Sequence, residues 1–146
     1  MIEIQTLRAS DAAFALCMEI REEVFVAEQS VPQELERDEY DDTALHFLAF
    51  LEGEAVATAR VLLKDDGRTA KIGRVAVRKV YRCKGLGKDL LTAIEQDHTL
   101  SGVHRFVLDA QIQALPFYET LGYAAEGPEF LDAGIPHRRM TKLDVV

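Results

Sequence analysis

The chain has 146 residues, of which 48% are hydrophobic, and its formal net charge is −8 at pH 7. The length and the apolar content predict one packed domain over residues 1–146, and the acidic charge argues against general nucleic-acid binding, which needs a broad basic surface. No apolar run approaches the roughly 20 residues that cross a bilayer and the charged N-terminus does not resemble a signal peptide, so we expect no membrane partner and a cytoplasmic location.

The first part of the chain predicts a strand followed by a helix. Residues 2–7 alternate between apolar and polar side chains, as in a half-buried strand. Ser10 or Asp11 can cap the helix that follows. An acidic stretch, residues 34–42, then predicts a solvated loop or a short helix. The apolar face expected for the first helix comprises Phe14, Leu16, Cys17, Ile20, Val24 and Phe25.

The rest of the chain alternates strands and helices. Residues 46–68 predict two strands joined by a turn at residues 52–54, and residues 71–77 predict a third. The later elements, in order, are a helix at residues 85–98, a buried strand at 105–110, a short helix at 114–122 and two weaker strands to Val146. This order of elements predicts a mixed α/β sheet.

The cations of this acidic chain are concentrated around one predicted strand-to-helix turn. Residues 67–88 contain eight of the 17 Lys and Arg residues and no Asp or Glu. Gly85 and Gly87 allow a ligand to approach the backbone, and the N-terminus of a helix attracts anions through its unpaired N–H groups and its dipole. The turn therefore predicts a phosphate or pyrophosphate site. Further positive charge at this turn comes from Arg82, Lys84 and Lys88.

Two common phosphate motifs do not match this turn. A P-loop requires Ser or Thr where Asp89 stands, and the dinucleotide-binding fingerprint requires Gly where Leu90 stands. The pattern of residues 82–87 is R-x-x-G-x-G. It resembles the acyl-CoA pyrophosphate loop of the GNAT superfamily of N-acetyltransferases, whose signature is Q/R-x-x-G-x-G/A. The strand before the turn and the amphipathic helix after it strengthen the match.

A later segment, residues 109–123, also resembles the GNAT superfamily. One departure is Gln113, because many members have Asn there. Residues 21–32, 41–50 and 134–140 resemble a group of small bacterial members that includes glyphosate N-acetyltransferase-like enzymes. The resemblance thus covers nearly the whole chain. The positions that match the later family segment are Gln113, Ala114, Phe117, Tyr118, Gly122 and Tyr123.

The resemblance implies a fold and a co-substrate. The implied fold class is α/β (α+β), with a mixed, mostly antiparallel seven-stranded sheet, helices on both faces, and a splay between strands four and five. The implied co-substrate is acetyl-CoA, whose pantetheine arm would pair with the backbone of residues 75–77 and whose pyrophosphate would lie in the glycine loop. The cofactor-binding residues expected on this basis are Val75, Ala76, Val77, Arg82, Cys83, Lys84, Gly85, Leu86, Gly87, Lys88, Gln113 and Phe117.

Two residues are candidates for the chemistry of acetyl transfer. Tyr118 is the candidate acid, because a phenol stays protonated at neutral pH and can donate to the departing thiolate. His137 follows a turn and is the candidate base, since an imidazole titrates near neutral pH. The alternatives are a core tyrosine and a turn histidine. Cys17 and Cys83 form no C-x-x-C pair and the chain shows no export signal, so we expect reduced thiols and no metal. A Cys83 nucleophile is the alternative to direct attack on the thioester, but no base is evident to pair with it, so we expect direct attack.

The candidate substrate-binding residues favour an amine that also carries an acid group. Arg21 and Arg74 match arginines that face the acceptor pocket in related enzymes, and an arginine binds a carboxylate bidentately. The alternative is that both arginines pair with nearby carboxylates, such as those of residues 34–42. Further candidates, each with an ordinary structural alternative, are Glu28, His46 and Gln111.

The leading prediction is therefore an acetyl-CoA-dependent N-acetyltransferase that transfers an acetyl group to a primary amine of a small molecule. Two alternatives stay open, a protein or peptide N-acetyltransferase and a non-catalytic acyl-CoA-binding sensor. The apolar strands near the C-terminus leave a homodimer open as well. The sequence leaves the acceptor and the acyl-chain preference undetermined.

Overall fold

The structure is a computed structural model that describes residues 2–143, apart from the side chains of residues 34 and 35, so Met1 and residues 144–146 of the expected domain lie outside it. Among residues 2–143, no helix is long and apolar enough to cross a bilayer. The strands are β1 (Ile2–Leu7), β2 (Leu45–Leu51), β3 (Glu54–Lys64), β4 (Thr69–Val77), β5 (Arg105–Gln111), β6 (Ala124–Asp132) and β7 (Ile135–Leu143). The helices are α1 (Phe14–Arg21), α2 (Gln33–Glu36), α3 (Leu86–Gln96) and α4 (Leu115–Thr120).

The seven strands form one sheet in the order β1-β2-β3-β4-β5-β7-β6. Every neighbouring pair is antiparallel except β4 and β5, which are parallel. The pairing of β4 with β5 extends only from Thr69 opposite Arg105 to Ile72 opposite Leu108. Beyond that point both strands continue without pairing to each other, so the sheet opens at its centre. The predicted mixed sheet with a splay between strands four and five is confirmed.

Helices cover both faces of the sheet, as predicted. Helix α1 packs on one face, where Phe14, Cys17 and Ile20 are buried. Helix α3 packs on the other face through its buried side chains, and complete burial of each such side chain contributes about 1.5–3 kcal/mol. The spacing of these apolar residues is that of one helix face, which is why the sequence predicts the helix correctly. The buried side chains of α3 are Leu86, Leu90, Leu91 and Ile94.

The start and the end of the first helix differ from the prediction. Helix α1 begins at Phe14, and its N-cap residue forms no side-chain cap. The carboxylate of Asp11 instead accepts a hydrogen bond from the backbone N–H of Arg8, at 2.7 Å, within the preceding turn. The helix then continues as a π-helix over Glu22–Glu28. A single sequence carries no signal for this wider turn, which is common at functional sites.

The acidic stretch, residues 34–42, forms short helices, which is one of the two predicted alternatives, and it is only partly solvated. It forms α2 and a 3₁₀-helix over Glu39–Asp42, which the side chain of Asp38 caps. Two of its carboxylates, Glu36 and Asp41, are buried. Buried carboxylates need charged partners, and arginines from the sheet and from α1 provide them, as described below.

Candidate active site

A cavity of about 920 Å³ lies where β4 and β5 diverge. The loop that leads into α3 lines it from one face of the sheet, and the π-helix lines it from the other face. The cavity therefore passes through the splay and has two ends. The loop end is formed by residues 82, 83 and 85–88 with Phe117, and the arginine end by Glu36, Arg60 and Arg74.

The loop end is built by two glycines. Gly85 is the N-cap of α3 with a φ of 79°, a left-handed conformation that other residues adopt at a cost. A Cβ on Gly87 would lie 3.2 Å from Cζ of Phe117, so glycine lets this ring pack against the first turn. The helix hydrogen bonds begin with Asp89 N–H to the Gly85 carbonyl. The preceding N–H groups have no acceptor within the helix, so they can bind an anion.

The cations of the loop do not all face the cavity. Both terminal nitrogens of Arg82 contact the carboxylate of Glu28, at 2.8 and 2.9 Å, and its Nε donates to the Val77 carbonyl at 2.9 Å. The Arg82 side chain is thus held by protein groups, although Arg82 also lines the cavity, and its contact with phosphate stays a prediction. Lys84 lies over the ring of Tyr81 and outside the cavity wall, whereas Lys88 lines the cavity.

The edge of β4 that faces the cavity begins at a bulge. Arg74 has a φ of 51°, and the register between β3 and β4 shifts at the same place. A bulge bends a strand and interrupts its pairing. After it, residues 75–77 line the cavity while lying beyond the last pair with β5. Their backbone groups on this side are placed to pair with an extended ligand, as in strand addition.

Tyr118 lies in α4 and lines the cavity, although only 8% of it is exposed. Its ring packs edge-on against Phe117, with 5.0 Å between the ring centres. Burial raises the pKa of Tyr118 to about 12, so the phenol is protonated at neutral pH. It can donate a hydrogen bond into the cavity.

His137 also lines the cavity, from β7, where it stands opposite Gln111 of β5. Its Nδ1 lies 2.6 Å from the Ile135 carbonyl, which can only accept a hydrogen bond, so Nδ1 carries the proton. In the neutral ring this arrangement leaves the lone pair on Nε2. The ring stacks on Phe130, with an angle of 22° between the planes. Packing and hydrogen bonding thus fix the orientation of a potential base.

Three glutamines lie in a row beside His137. The amide nitrogen of Gln111 donates to the side-chain oxygen of Gln29 at 2.8 Å, and Gln113 donates in turn to Gln111. Gln111 and Gln29 line the cavity, whereas Gln113 does not. An expected cofactor contact from the Gln113 side chain therefore has no direct geometric support.

The arginine end is a network of three arginines and three carboxylates. Arg21 contacts Glu36 through Nε and Asp41 through a terminal nitrogen, the latter at 2.8 Å. Arg60 contacts Asp38 at 2.6 Å and Asp41 at 3.2 Å. The further links are between Arg74 and Asp38, at 3.1 Å, and between Arg74 and Glu36, at 3.5 Å.

The two buried carboxylates of this network differ in their electrostatics. Burial opposes the ionisation of Asp41, but the hydrogen bond and the charge of Arg21 outweigh it and lower the pKa of Asp41 to about 2. For Glu36, burial outweighs the attraction of Arg21 and raises the pKa. Burial also lowers the pKa of Arg74, and the nearby charge of Arg60 adds to that effect. Burial thus disfavours the charged forms of both Glu36 and Arg74.

Comparisons with known proteins decide the family. A family model described as an acetyltransferase (GNAT) domain matches residues 6–143. The chain belongs to the GNAT family of N-acetyltransferases. It is 41% identical over 124 residues to the uncharacterized N-acetyltransferase YjcF of Bacillus subtilis, a match that covers 84% of this chain and 87% of the relative.

Two solved structures show how far the likeness extends for this N-acetyltransferase. Escherichia coli ElaA superimposes with a TM-score of 0.83 at 30% identity, over 97% of this chain and 99% of that one. A GNAT family acetyltransferase from Elizabethkingia anophelis, solved with acetyl-CoA bound, has a TM-score of 0.73 at 17% identity over 97% of each chain, which shows a shared fold. The expected family is confirmed, while the narrower glyphosate-like branch stays a prediction.

Two candidate substrate-binding residues of the acetyltransferase lie outside the cavity wall. Arg21 is 1% exposed and lies behind Glu36 and Asp41. Its contacts match the predicted alternative, in which the arginine pairs with nearby carboxylates instead of a ligand. His46 is equally buried, packs against Phe14, and its Nε2 lies 2.9 Å from the Asp41 carbonyl. Neither side chain can reach a ligand in this arrangement, because protein groups surround both.

Glu28 is likewise outside the wall, since Arg82 holds its carboxylate. Among the predicted substrate residues, Arg74 and Gln111 do line the cavity. Arg60 and Glu36 line it as well, although neither was predicted to do so. A signal for Arg60 was present, because it is a lone charge within the apolar run of β3 and therefore needs a buried partner.

Proposed function

We propose that this protein is an acetyl-CoA-dependent N-acetyltransferase that acetylates a primary amine of a compact small molecule, one that also carries an acidic group. The observation that carries the proposal is the cavity through the splay. It joins an anion-binding helix terminus at one end to an arginine pair at the other. The acetyl-CoA bound by the Elizabethkingia anophelis acetyltransferase, which shares the fold, supports the choice of donor.

The loop end fits the phosphates and pantetheine arm of coenzyme A. The unpaired N–H groups at the start of α3, together with Lys88, would hold the pyrophosphate. The free backbone edge of residues 75–77 would pair with the pantetheine amides and direct N–H groups at the thioester carbonyl. The bound co-substrate would supply the activated acetyl group. Because the bulge at Arg74 frees this edge, it serves the positioning of the thioester.

His137 would prepare the acceptor for attack. An ammonium has no lone pair, so the amine must lose a proton before its nitrogen can form the new bond to the acetyl carbon. The Nε2 of His137 can take that proton, since Nδ1 is already committed to the Ile135 carbonyl. As the C–N bond forms and the C–S bond breaks, CoA leaves as the thiolate. One of the two N–H protons left on the attacking nitrogen passes to solvent, and the amide product keeps the other.

Tyr118 would stabilise the departing sulfur. A thiol has a pKa near 8.5, far below the value of about 12 for Tyr118, so complete proton transfer from the phenol is uphill. We therefore assign to Tyr118 a hydrogen bond that strengthens as charge develops on the thiolate. Burial of the phenol makes this bond stronger than it would be in water.

Arg74 and Arg60 would select an acceptor with an acidic group. Both side chains line the end of the cavity away from the glycine loop. Arg60 is 7% exposed, and its buried Nε has no hydrogen-bond partner among the described residues. Hydrogen bonds to charged groups contribute about 1.5–3 kcal/mol each, so a carboxylate here favours binding strongly.

The test is release of CoA thiol from acetyl-CoA with a panel of amino acids, amino sugars, polyamines and aminoglycosides. Each amino acid is paired with its amide, which lacks the carboxylate. We expect turnover with compact acceptors, and a preference of about tenfold or more for the acid over the amide. Arg74→Gln should reduce that preference, whereas Arg78→Gln should not, because Arg78 pairs with Glu19 outside the cavity.

Two other outcomes would replace the proposal. Calorimetric binding of acetyl-CoA without thiol release for any acceptor would favour a sensor. Turnover with peptides but with no free amino acid or amine would favour a peptide acetyltransferase.

A further inference from the structure

We propose that residues 24–31, here called the strap, cross the cavity between the glycine loop and β5 and limit the length of the acyl group and the size of the acceptor. This inference rests on the proposed function and adds a specificity determinant to it. Two consecutive side chains of the strap carry the argument, Glu28 and Gln29.

These two side chains bind opposite sides of the opening. Glu28 holds both terminal nitrogens of Arg82, which belongs to the loop between β4 and α3. Gln29 accepts a hydrogen bond from Gln111, the last residue of β5, at 2.8 Å. Because β4 and β5 are the strands that diverge, one short segment ties together the two sides of the splay.

The strap is also part of the cavity wall and is ordered by its own backbone. Its residues Val24, Phe25, Gln29 and Val31 line the cavity. The N–H of Gln29 donates to the Val24 carbonyl at 3.2 Å, and that of Val31 donates to the Phe25 carbonyl at 2.9 Å. A segment with internal hydrogen bonds and two anchors resists displacement.

The position of the strap limits the size of the groups that fit in the cavity. An acyl chain attached to coenzyme A at the loop end must extend through the splay toward the strap. A short acyl group with a compact amine fits beneath it, whereas a long acyl chain or an extended peptide requires the strap to move. The strap thus favours a short acyl donor and a small acceptor.

The test varies the length of the acyl chain on CoA, measures binding only, and needs no acceptor. Calorimetry measures the affinity of the full chain for acetyl-, butanoyl-, hexanoyl- and octanoyl-CoA. In an unobstructed apolar cavity each added methylene raises affinity. We expect instead that the affinity of the wild type falls at least about tenfold from acetyl- to octanoyl-CoA. In the double variant Glu28→Ala/Gln29→Ala we expect the fall to shrink to less than about threefold.

The matched control is Glu22→Ala/Gln33→Ala, which removes a contact between two exposed side chains outside this cavity. It should keep the length dependence of the wild type. Ratios within each variant are compared, since release of Arg82 can change the affinity for all CoA esters together.

Each result decides between the two proposals. A wild type that binds all four esters equally well, or more tightly as the chain lengthens, overturns the strap proposal and leaves the acetyltransferase proposal standing. The strap proposal is also overturned if the Glu28/Gln29 variant keeps the full length dependence. A wild type that binds none of the esters overturns the proposed function itself. If the double variant does not fold, the single variant Gln29→Ala replaces it, and retention of the full length dependence in that variant overturns the strap proposal as well.

Discussion

Both ends of the cavity contain cations, but the ends differ in how many of those cations are paired with carboxylates. At the loop end, Lys88 lines the cavity and forms no ion pair with any residue in the described range 2–143, although Arg82 is paired with Glu28. At the arginine end, Arg21, Arg60 and Arg74 each contact carboxylates of the acidic segment. One end presents charge to a ligand, and the other uses most of its charge internally.

The contrast shows how each end keeps its shape. The loop end is held mainly by backbone geometry, so it tolerates changes of exposed side chains. The arginine end depends on buried ion pairs, and removal of one partner leaves an uncompensated charge inside the protein. The same substitution, arginine to alanine, should therefore have very different effects according to its position.

The largest effect is expected at the arginine end. Arg21→Ala leaves Glu36 and Asp41 without their shared partner, and loss of one partner of a buried pair costs about 3–5 kcal/mol. The free energy of unfolding in urea measures this cost. Arg105→Ala is the control, because its pair with Glu126 is exposed and should contribute less than about 1 kcal/mol. An equal loss of unfolding free energy in the two variants would contradict the conclusion that buried ion pairs hold the arginine end together.

The next largest effect concerns the phenol near the loop end. Tyr118→Phe removes the hydrogen bond to the departing sulfur, and we expect kcat to fall at least about 100-fold, or about 2.7 kcal/mol, with unchanged affinity for CoA. Tyr123→Phe is the matched control, since the Tyr123 hydroxyl donates to Glu95 at 2.8 Å rather than into the cavity. Unchanged turnover in Tyr118→Phe would remove this residue from the mechanism.

A third test uses pH. The folded protein lowers the pKa of Asp41 from an ordinary value of 3.8 to about 2, so Asp41 stabilises the fold fully above about pH 4. This contribution, about 2 kcal/mol, is lost as the pH falls from 4 toward 2. Urea unfolding at several pH values should show a steeper acid loss in the wild type than in Asp41→Asn. Parallel curves would mean that Arg21 does not hold this carboxylate ionised.

The smallest effect is expected from the glycine at the loop end. Gly85 and Gly53 both have positive φ, and a Cβ at either meets nothing within 4 Å. Alanine at either position should cost about 1 kcal/mol of stability through backbone strain. Gly85→Ala should also weaken CoA binding about fivefold, because the strain shifts the N–H groups of the helix terminus. Calorimetry on both variants measures the affinity for CoA. Equally weakened binding by Gly53→Ala would contradict the explanation that strain at Gly85 acts on the adjacent helix terminus.

Much of the fold could be predicted because its signals are local. The apolar spacing of Leu90, Leu91 and Ile94 specified the face of α3 that packs on the sheet. The R-x-x-G-x-G pattern specified a turn, a helix start and an anion site together. Propensity did not predict the π-helix over Glu22–Glu28, and the expected cap by Asp11 was wrong because the preceding turn uses that carboxylate.

The order of elements, the family and the glycine loop could all be read from the sequence, since each depends on residues close together in the chain. Which arginines face the cavity depends instead on the packing of the folded chain. Arg60 reaches the cavity wall while Arg21 is enclosed behind Glu36, and the apolar run around Arg60 indicates only that this charge needs a buried partner, not that it faces a cavity. Their roles depend on contacts between distant segments, and such contacts are set by how the acidic segment packs against the sheet, which local patterns do not encode.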